Sequence, residues 1–252
     1  MKKYLIVGDI HSCPEVPNDR ADWLANMIID QRPDVVVNLG DALDLASLSS
    51  YDKGKRSSIG RSYRADLECH LDFQERMWQP VKARKKKMPE RIFLEGNHEY
   101  RLERALDLSP EYVGAIGFDD FRLDDYYDKI VRYEGGTPGV IELDNILFSH
   151  YFVTGVSGRP ISGERPAHML LDKTGQSCIA GHIHTLDYAV RQNINGRVRS
   201  GLINGTYSDH IPGWAGVIGH LWRPGLSILH NVEDGNFDFE WWSLNRVRET
   251  YG

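Results

Sequence analysis

Five times along this chain a short apolar run stops at a polar motif rich in glycine, aspartate and histidine. Tyr4-Leu5-Ile6-Val7 leads into Gly8-Asp9 and His11. Val35-Val36-Val37 leads into Leu39-Gly40-Asp41. Ile92-Phe93-Leu94 precedes Gly96-Asn97-His98-Glu99, Phe148 precedes Ser149-His150, and Cys178-Ile179-Ala180 precedes Gly181-His182-Ile183-His184. Runs this short and this apolar read as buried strands. Between the first two, Trp23, Leu24, Met27 and Ile28 have helical spacing and Pro33 follows. Strand, helix, strand implies a right-handed crossover and a parallel pair.

Residues 42–90 interrupt this pattern. They are long and charged, and the second half is predicted helical, with Leu67, Leu71, Met77 and Trp78 as packing residues. A short helix is expected around Tyr100 to Leu106. Beyond residue 128 strands with short turns are expected: Lys129 to Tyr133, a hairpin turning at Asp144-Asn145, and a second turning at Asn195-Gly196. Residues 164–173 are compatible with a helix. Further strands are expected over Gly216 to Trp222, Leu226 to Val232 and Phe237 to Trp242. With no internal repeat or clear linker, the reading is one domain over 1–252 with an insertion at about 46–90.

The chain has 252 residues and a formal net charge of −6, which does not favour a surface that is basic throughout. Cys13, Cys69 and Cys178 are too few and too irregular for a disulfide framework, which fits a reducing compartment. The apolar run before Asp9 is too short for a signal peptide, and no stretch approaches the ~20 residues that span a bilayer. The expectation is a cytoplasmic protein without a membrane partner.

Asp9 and His11 stand two apart, so in extended chain they point to one side, as do His182 and His184. Gly8 is expected to let the backbone turn. Asp41 alone reads as a helix N-cap, yet its carboxylate has two oxygens and can bridge two cations. Asn97 can ligate without adding charge. A lone His150 reads as a core or loop histidine. All these donors are nitrogen or oxygen, a set that suits manganese, iron, zinc or nickel and shows no thiolate preference. Structural zinc usually takes cysteine, so the pattern fits a catalytic centre.

The five motifs in this order resemble the calcineurin-like metallophosphoesterase family, over roughly residues 4–206. The resemblance implies an α/β fold: a two-sheet β-sandwich flanked by helices (αββα), here with a helical insertion. It implies two divalent ions, manganese being the first expectation. Asp9, His11 and His184 would hold one ion and Asn97, His150 and His182 the other, with Asp41 bridging. His98 corresponds to the family's non-ligand histidine, expected to contact the phosphate and protonate the leaving oxygen. Asp44 has the spacing of an aspartate that orients this histidine in the protein-phosphatase branch. That branch has an arginine next, where this chain has Leu45, which weakens that assignment. Arg101 could replace some of that charge, or be a solvated helix residue.

The expected activity is hydrolysis of a phosphoester by a metal-activated water, with a nucleotide or nucleic-acid diester as substrate. The alternatives are a phosphomonoesterase, including a protein phosphatase, and a binding module that has lost catalysis. Among rim residues, Lys53, Lys55, Arg56, Arg61 and Arg64, with Tyr51 and Tyr63, could hold a polyanion and stack bases. Lys82, Arg84, Lys85, Lys86 and Lys87 read rather as a solvated helix face. Arg159 and Arg165, in the loop after His150, could bind phosphate. Asn204-Gly205-Thr206 is expected to shape the site, and His210 to be structural or at the surface. Cys13 reads as a small loop residue. Oligomeric state is not readable.

Overall fold

The computed structural model describes residues 1–84, 87–213 and 215–252. In chain order the elements are β1 (Lys2–Val7), α1 (Asp19–Gln31), β2 (Val35–Asn38), α2 (Tyr63–Arg84), β3 (Glu90–Leu94), α3 (Arg101–Leu108), β4 (Lys129–Val131), β5 (Ile141–Leu143), β6 (Ile146–Phe148), β7 (Val153–Thr154), β8 (Arg159–Pro160), α4 (Pro166–Thr174), β9 (Ser177–Ala180), β10 (Leu186–Gln192), β11 (Val198–Asn204), β12 (Gly225–Glu233), β13 (Asn236–Ser243) and α5 (Leu244–Tyr251).

Two sheets carry the fold. The first has the order β13-β12-β1-β2-β3-β4 and the second β10-β11-β9-β6-β5. Strands β1 to β4 pair in parallel, as do β6, β9 and β11. Successive strand residues face opposite ways, and that alternation sorts the core. Tyr4, Ile6, Val35 and Val37 face the second sheet and pack with Ile146, Phe148, Ile179 and Leu202. Leu5, Val7 and Val36 face outward against Leu24 and Met27 of α1, Met77 and Trp78 of α2, and Val247 of α5. On the far side, Leu170 and Leu171 of α4 cover Cys178, Ala180 and Ile203. The result is a helix, sheet, sheet, helix sandwich, in which β1, β2, β3, β6 and β9 are buried on both faces.

The Asp144-Asn145 hairpin is present, with both turn residues at positive φ of 46° and 63°, as a tight hairpin turn requires. One expected strand is absent. Gly216 to Leu221 forms a 3-10 helix instead. Gly216 turns the chain at φ 50°, and Val217 and Ile218 stay exposed. Helix α5 had no counterpart in the pattern reading. It starts at Ser243, whose hydroxyl accepts from the Arg246 N–H. Lys85 and Lys86 of the basic run lie outside the described residues. Among the described residues no helix is long and apolar enough to cross a membrane.

Candidate metal centre

The loops that follow β1, β2, β3, β6 and β9 meet at one place. Backbone bonds stitch them together: Asp9 N–H to Gly40 O at 2.9 Å, His11 N–H to Asp41 O at 2.9 Å, and Gly181 N–H to His150 O at 3.0 Å. The side chains do not converge by strand alternation. Asp9, His11, Asp41, His182 and His184 all occupy left-handed backbone, with φ of 52°, 48°, 50°, 73° and 60°. Each such residue costs about 1–2 kcal/mol relative to right-handed geometry, and concentrated strain of this kind is typical of functional sites. The turning is therefore done by the aspartates and histidines themselves. Gly8 serves a different purpose: a Cβ there would lie 2.7 Å from Leu39 Cβ, so glycine permits close strand packing. Gly181 and Gly96 likewise make room for carboxylates, since their Cβ atoms would fall 2.3 Å from Asp9 Oδ2 and 2.2 Å from Asp41 Oδ1.

Among the described residues the donors form three close groups, of which two share Asp41 and the third is His11, Asp44 and His98. Asp9, His11, Asp41 and His184 each offer a ligand atom within 4.8 Å of the others, and Asp41, His150 and His182 form the second set. Asn97 joins the second set through its Oδ1, 3.0 Å from His150 Nε2. His182 and His184 thus face different groups, where simple alternation would have aimed both at one.

The proton inventory bears on whether cations fit. The His150 Nδ1–H donates to the Leu39 carbonyl at 2.8 Å, so its Nε2 is the free lone pair in the neutral ring. That lone pair faces Asp41 Oδ2 at 3.3 Å as well as Asn97 Oδ1. Acceptors aimed at one another need a proton or a cation between them. With a proton there His150 would be held up at about 9: burial opposes the charged ring, but the Asp41 charge and hydrogen bond, with Asp9 and the Leu39 carbonyl, together outweigh it. His11 Nε2 and His184 Nε2 meet in the same way at 3.1 Å. Burial, then the neighbouring His98, pushes His11 down to about 4, and burial, then His150, does the same to His182. Both rings are therefore neutral at pH 7, the form that ligates metal. Asp41 is held well below its ordinary value although burial opposes it, chiefly by His150 and His98. Nitrogen and oxygen donors converging in two sets around one carboxylate fit a pair of divalent ions.

His98 sits beside this centre. Its Nδ1 lies 2.8 Å from the Asp44 carbonyl and 3.0 Å from the Asp44 carboxylate. Its Nε2 points toward Asp41 Oδ2 at 3.8 Å and meets Arg101 Nη2 at 3.1 Å. Burial works against the charged ring, but the Asp41 carboxylate, aided by Asp44, keeps His98 above its ordinary value while Arg101 opposes. Arg101 is not a solvated helix residue. It donates to the Asp44 carbonyl at 2.6 Å and is mostly covered.

Two supporting residues escaped the sequence reading. Glu99 is fully buried, and its carboxylate accepts from the N–H groups of Asp41 at 2.9 Å, Ala42 at 2.7 Å and Gly96 at 2.8 Å. It ties the second and third loops together; its place directly after Asn97-His98 was the available signal. Arg20, also buried, donates to the carbonyls of Ile10 and Tyr207 and fastens the first loop to the chain after β11. Thr206 adds a hydroxyl donated to the Asp9 carbonyl at 2.6 Å.

A cleft of about 720 Å³ opens over the centre. Lys55 and Arg61 line it, as do Cys13, His210 and Trp222. Arg61 is already engaged, with Asp52 at 2.7 Å and the Ala46 carbonyl at 3.0 Å. Arg56 and Arg159 are exposed and do not line the cleft. The structure thus gathers Asp9, His11, Asp41, Asp44, Asn97, His98, Arg101, His150, His182 and His184, with Lys55 at the rim, and leaves Arg56 and Arg159 outside.

The chain is similar to several known proteins. The chain is 25% identical over 244 residues to the gene 54 protein of Mycobacterium phage L5, covering 91% of this chain and 89% of that protein. Among solved structures it is similar to Yfce, a phosphoesterase from E. coli, at 14% identity and a TM-score of 0.41, over 96% of this chain and all of that one. It is also similar to a dimetal phosphatase from Danio rerio, at 10% identity and a TM-score of 0.45, over 96% of each. Residues 2–187 match the description calcineurin-like phosphoesterase. The chain belongs to the calcineurin-like phosphoesterase family and is a hydrolase of phosphoester bonds.

Proposed function

We propose that this protein is a two-metal phosphodiesterase acting on a nucleotide or nucleic acid. Asp9, His11 and His184 would hold one divalent ion and Asn97, His150 and His182 the other, with Asp41 between them. Manganese is the first choice; iron, zinc and nickel suit the same donors. Ions bound there supply Lewis-acid polarisation of the phosphoryl group and activation of water. The observation that carries this reading is the pair of ligand sets sharing the Asp41 carboxylate.

The chain's own residues do the rest. Asp44 fixes the ring of His98 through Nδ1, which leaves Nε2 directed at the centre. A protonated His98 can hydrogen-bond a non-bridging phosphoryl oxygen and pass its proton to the leaving oxygen. His150 is fully buried and His98 nearly so, which strengthens the charge interactions there.

Leu45 stands where a protein phosphatase would place a phosphate-binding arginine, and it is buried away from the cleft. That absence supports a diester, which carries one negative charge fewer. One observation favours a monoester instead: Arg101 reaches His98 and could balance the additional charge. Turnover of bis-p-nitrophenyl phosphate against p-nitrophenyl phosphate, with each metal added in turn, decides. Preference for the monoester overturns the diesterase reading. Full metal loading with no turnover of either would leave a binding module.

A further inference from the structure

A second cavity, of about 440 Å³, borders the cleft over the metal centre, and Ala46 and Arg61 line both. The Arg61 guanidinium is fixed there, bonded to Asp52 at 2.7 Å and to the Ala46 carbonyl at 3.0 Å. Two connections lead from this cavity to His98. Ala46 stands two residues after Asp44, whose carboxylate lies 3.0 Å from His98 Nδ1. Helix α3 begins at Arg101, which meets His98 Nε2 at 3.1 Å, and its Ala105 and Leu108 line the cavity. At a rise of about 1.5 Å per residue these stand about 6 and about 10 Å from Arg101 along the axis. In the mechanism proposed above His98 passes its proton to the leaving oxygen, so the cavity lies on the leaving-group side of the centre.

The walls limit the occupant. Among the described residues no carboxylate lines the cavity, and its cations are Lys53 and Arg61. Arg61 is neutralised by Asp52, and Lys53 has no acidic partner among the described residues. A run of further phosphates would therefore meet one free cation and gain little. Leu108 and Tyr112 present apolar surface, 63% and 48% exposed. Tyr112 ends a 3-10 turn after α3, and its ring has no aromatic, cationic or hydrogen-bonding partner among the described residues. The Ser109 hydroxyl on the same wall is likewise unpaired there. A wholly apolar occupant would strip water from that hydroxyl and return nothing. A flat ring with polar edges, carried on a hydroxylated sugar, satisfies both kinds of surface, and the volume lies in the ordinary range for a small ligand.

We infer that this cavity is the leaving-group subsite and that it takes a nucleoside, with the base against the Tyr112 ring. The inference rests on the phosphoester site proposed above and names the chemical class of its leaving group. Ser109 and Lys53 belong to the same wall and meet the polar edges of the base and sugar. When the phosphorus–oxygen bond breaks, the nucleoside oxygen leaves with the bonding pair and takes the proton of His98. The oxygen of water stays on phosphorus. Stacking on one aromatic side chain is worth about tenfold in affinity.

The test compares adenosine 5′-monophosphate with ribose 5-phosphate, which share a phosphate ester and differ in the base. Calorimetry at low temperature on the manganese-loaded protein gives both affinities, with phosphate release monitored. Inorganic phosphate, titrated into the wild type, reports the metal centre by itself. The nucleotide should bind about tenfold tighter than the sugar phosphate. Tyr112→Ala should bring that ratio near one, and Tyr112→Phe should keep most of it. Ser109→Phe, which fills the cavity from another position, should also bring it near one and decides if Tyr112→Ala does not fold. Equal affinities in the wild type, or a ratio that either variant leaves unchanged, overturn the subsite. Inorganic phosphate that does not bind, with no phosphoester turned over, sinks the phosphoester site and the subsite with it. Phosphate binding or diester turnover with equal affinities sinks the subsite alone. Base-dependent binding without turnover of any diester keeps the subsite and sinks the diesterase reading.

Discussion

Gly96→Ala is the sharpest probe of how this centre is held. Gly96 does not use left-handed backbone, so the substitution tests contact alone. The new methyl would lie 2.2 Å from Asp41 Oδ1 and 2.4 Å from Asp41 N. Ordinary contact is about 3.5 Å, so the Asp41 loop must retreat by about 1 Å. It cannot retreat freely, because Asp41 N and Ala42 N are bonded to the buried Glu99 carboxylate at 2.9 and 2.7 Å. Forced overpacking of this kind costs about 1–3 kcal/mol, out of a total stability of about 5–15 kcal/mol. A displacement of about 1 Å at a reacting centre lowers rate by about a hundredfold. Urea unfolding and turnover of bis-p-nitrophenyl phosphate report the two effects separately, with metal content as a third measure. Gly117→Ala is the control, since nothing lies within 4 Å of that Cβ and its backbone is extended. If Gly96→Ala matches the wild type and Gly117→Ala in midpoint, turnover and metal content, the close approach of the two loops is wrong.

His98→Ala should lower turnover by about 10²–10⁴-fold while leaving metal content intact, whereas Asp41→Asn should lose both; parallel loss of metal in the two variants, read by elemental analysis, contradicts the separation of roles. His70 is fully buried in α2 with only the Phe121 carbonyl at 3.3 Å, and burial pushes it down to about 4. Its folded value is below its unfolded value, so its contribution to stability is complete above about 6.5 and is lost as pH falls toward about 4. Metal-free His70→Leu should therefore lose stability less steeply than wild type across that window, by at most about 1.4 kcal/mol per pH unit; identical slopes in denaturant titrations refute the assignment. Lys55→Ala should raise KM for an anionic substrate and flatten its salt dependence, while Arg56→Ala should change neither. The reverse ranking would place Arg56 over the cleft.

Much of the site is written in the order of residues. A buried strand followed by an aspartate or histidine is visible because strand periodicity and polar interruption are both local properties. Hence β1, β2, β3, β6 and β9 could be placed, and with them the residues at their ends. The way those residues converge was not visible. Strand alternation predicts that His182 and His184 point alike, but left-handed backbone at both sends them to different halves of the centre. The segment 216–222 shows the same limit. Its apolar residues suit a strand, but it folds as a 3-10 helix after Gly216 turns the chain, with Val217 and Ile218 exposed. Arg56 and Arg61 look equivalent in sequence. Folding engages one with Asp52 inside the cleft and leaves the other in water.

The sequence by itself determined the donor chemistry and the strand ends that carry it, because residue type and period need no partner. Only the tertiary structure decided that left-handed backbone turns His182 and His184 apart, that Arg61 of the cleft is paired with Asp52, and that Trp222 stands edge-on to His184. Those depend on contacts between separate segments, some of them, such as Asp9 with His184 and Asp41 with His150, more than a hundred residues apart, where packing and positive φ, not local preference, set the direction of each side chain.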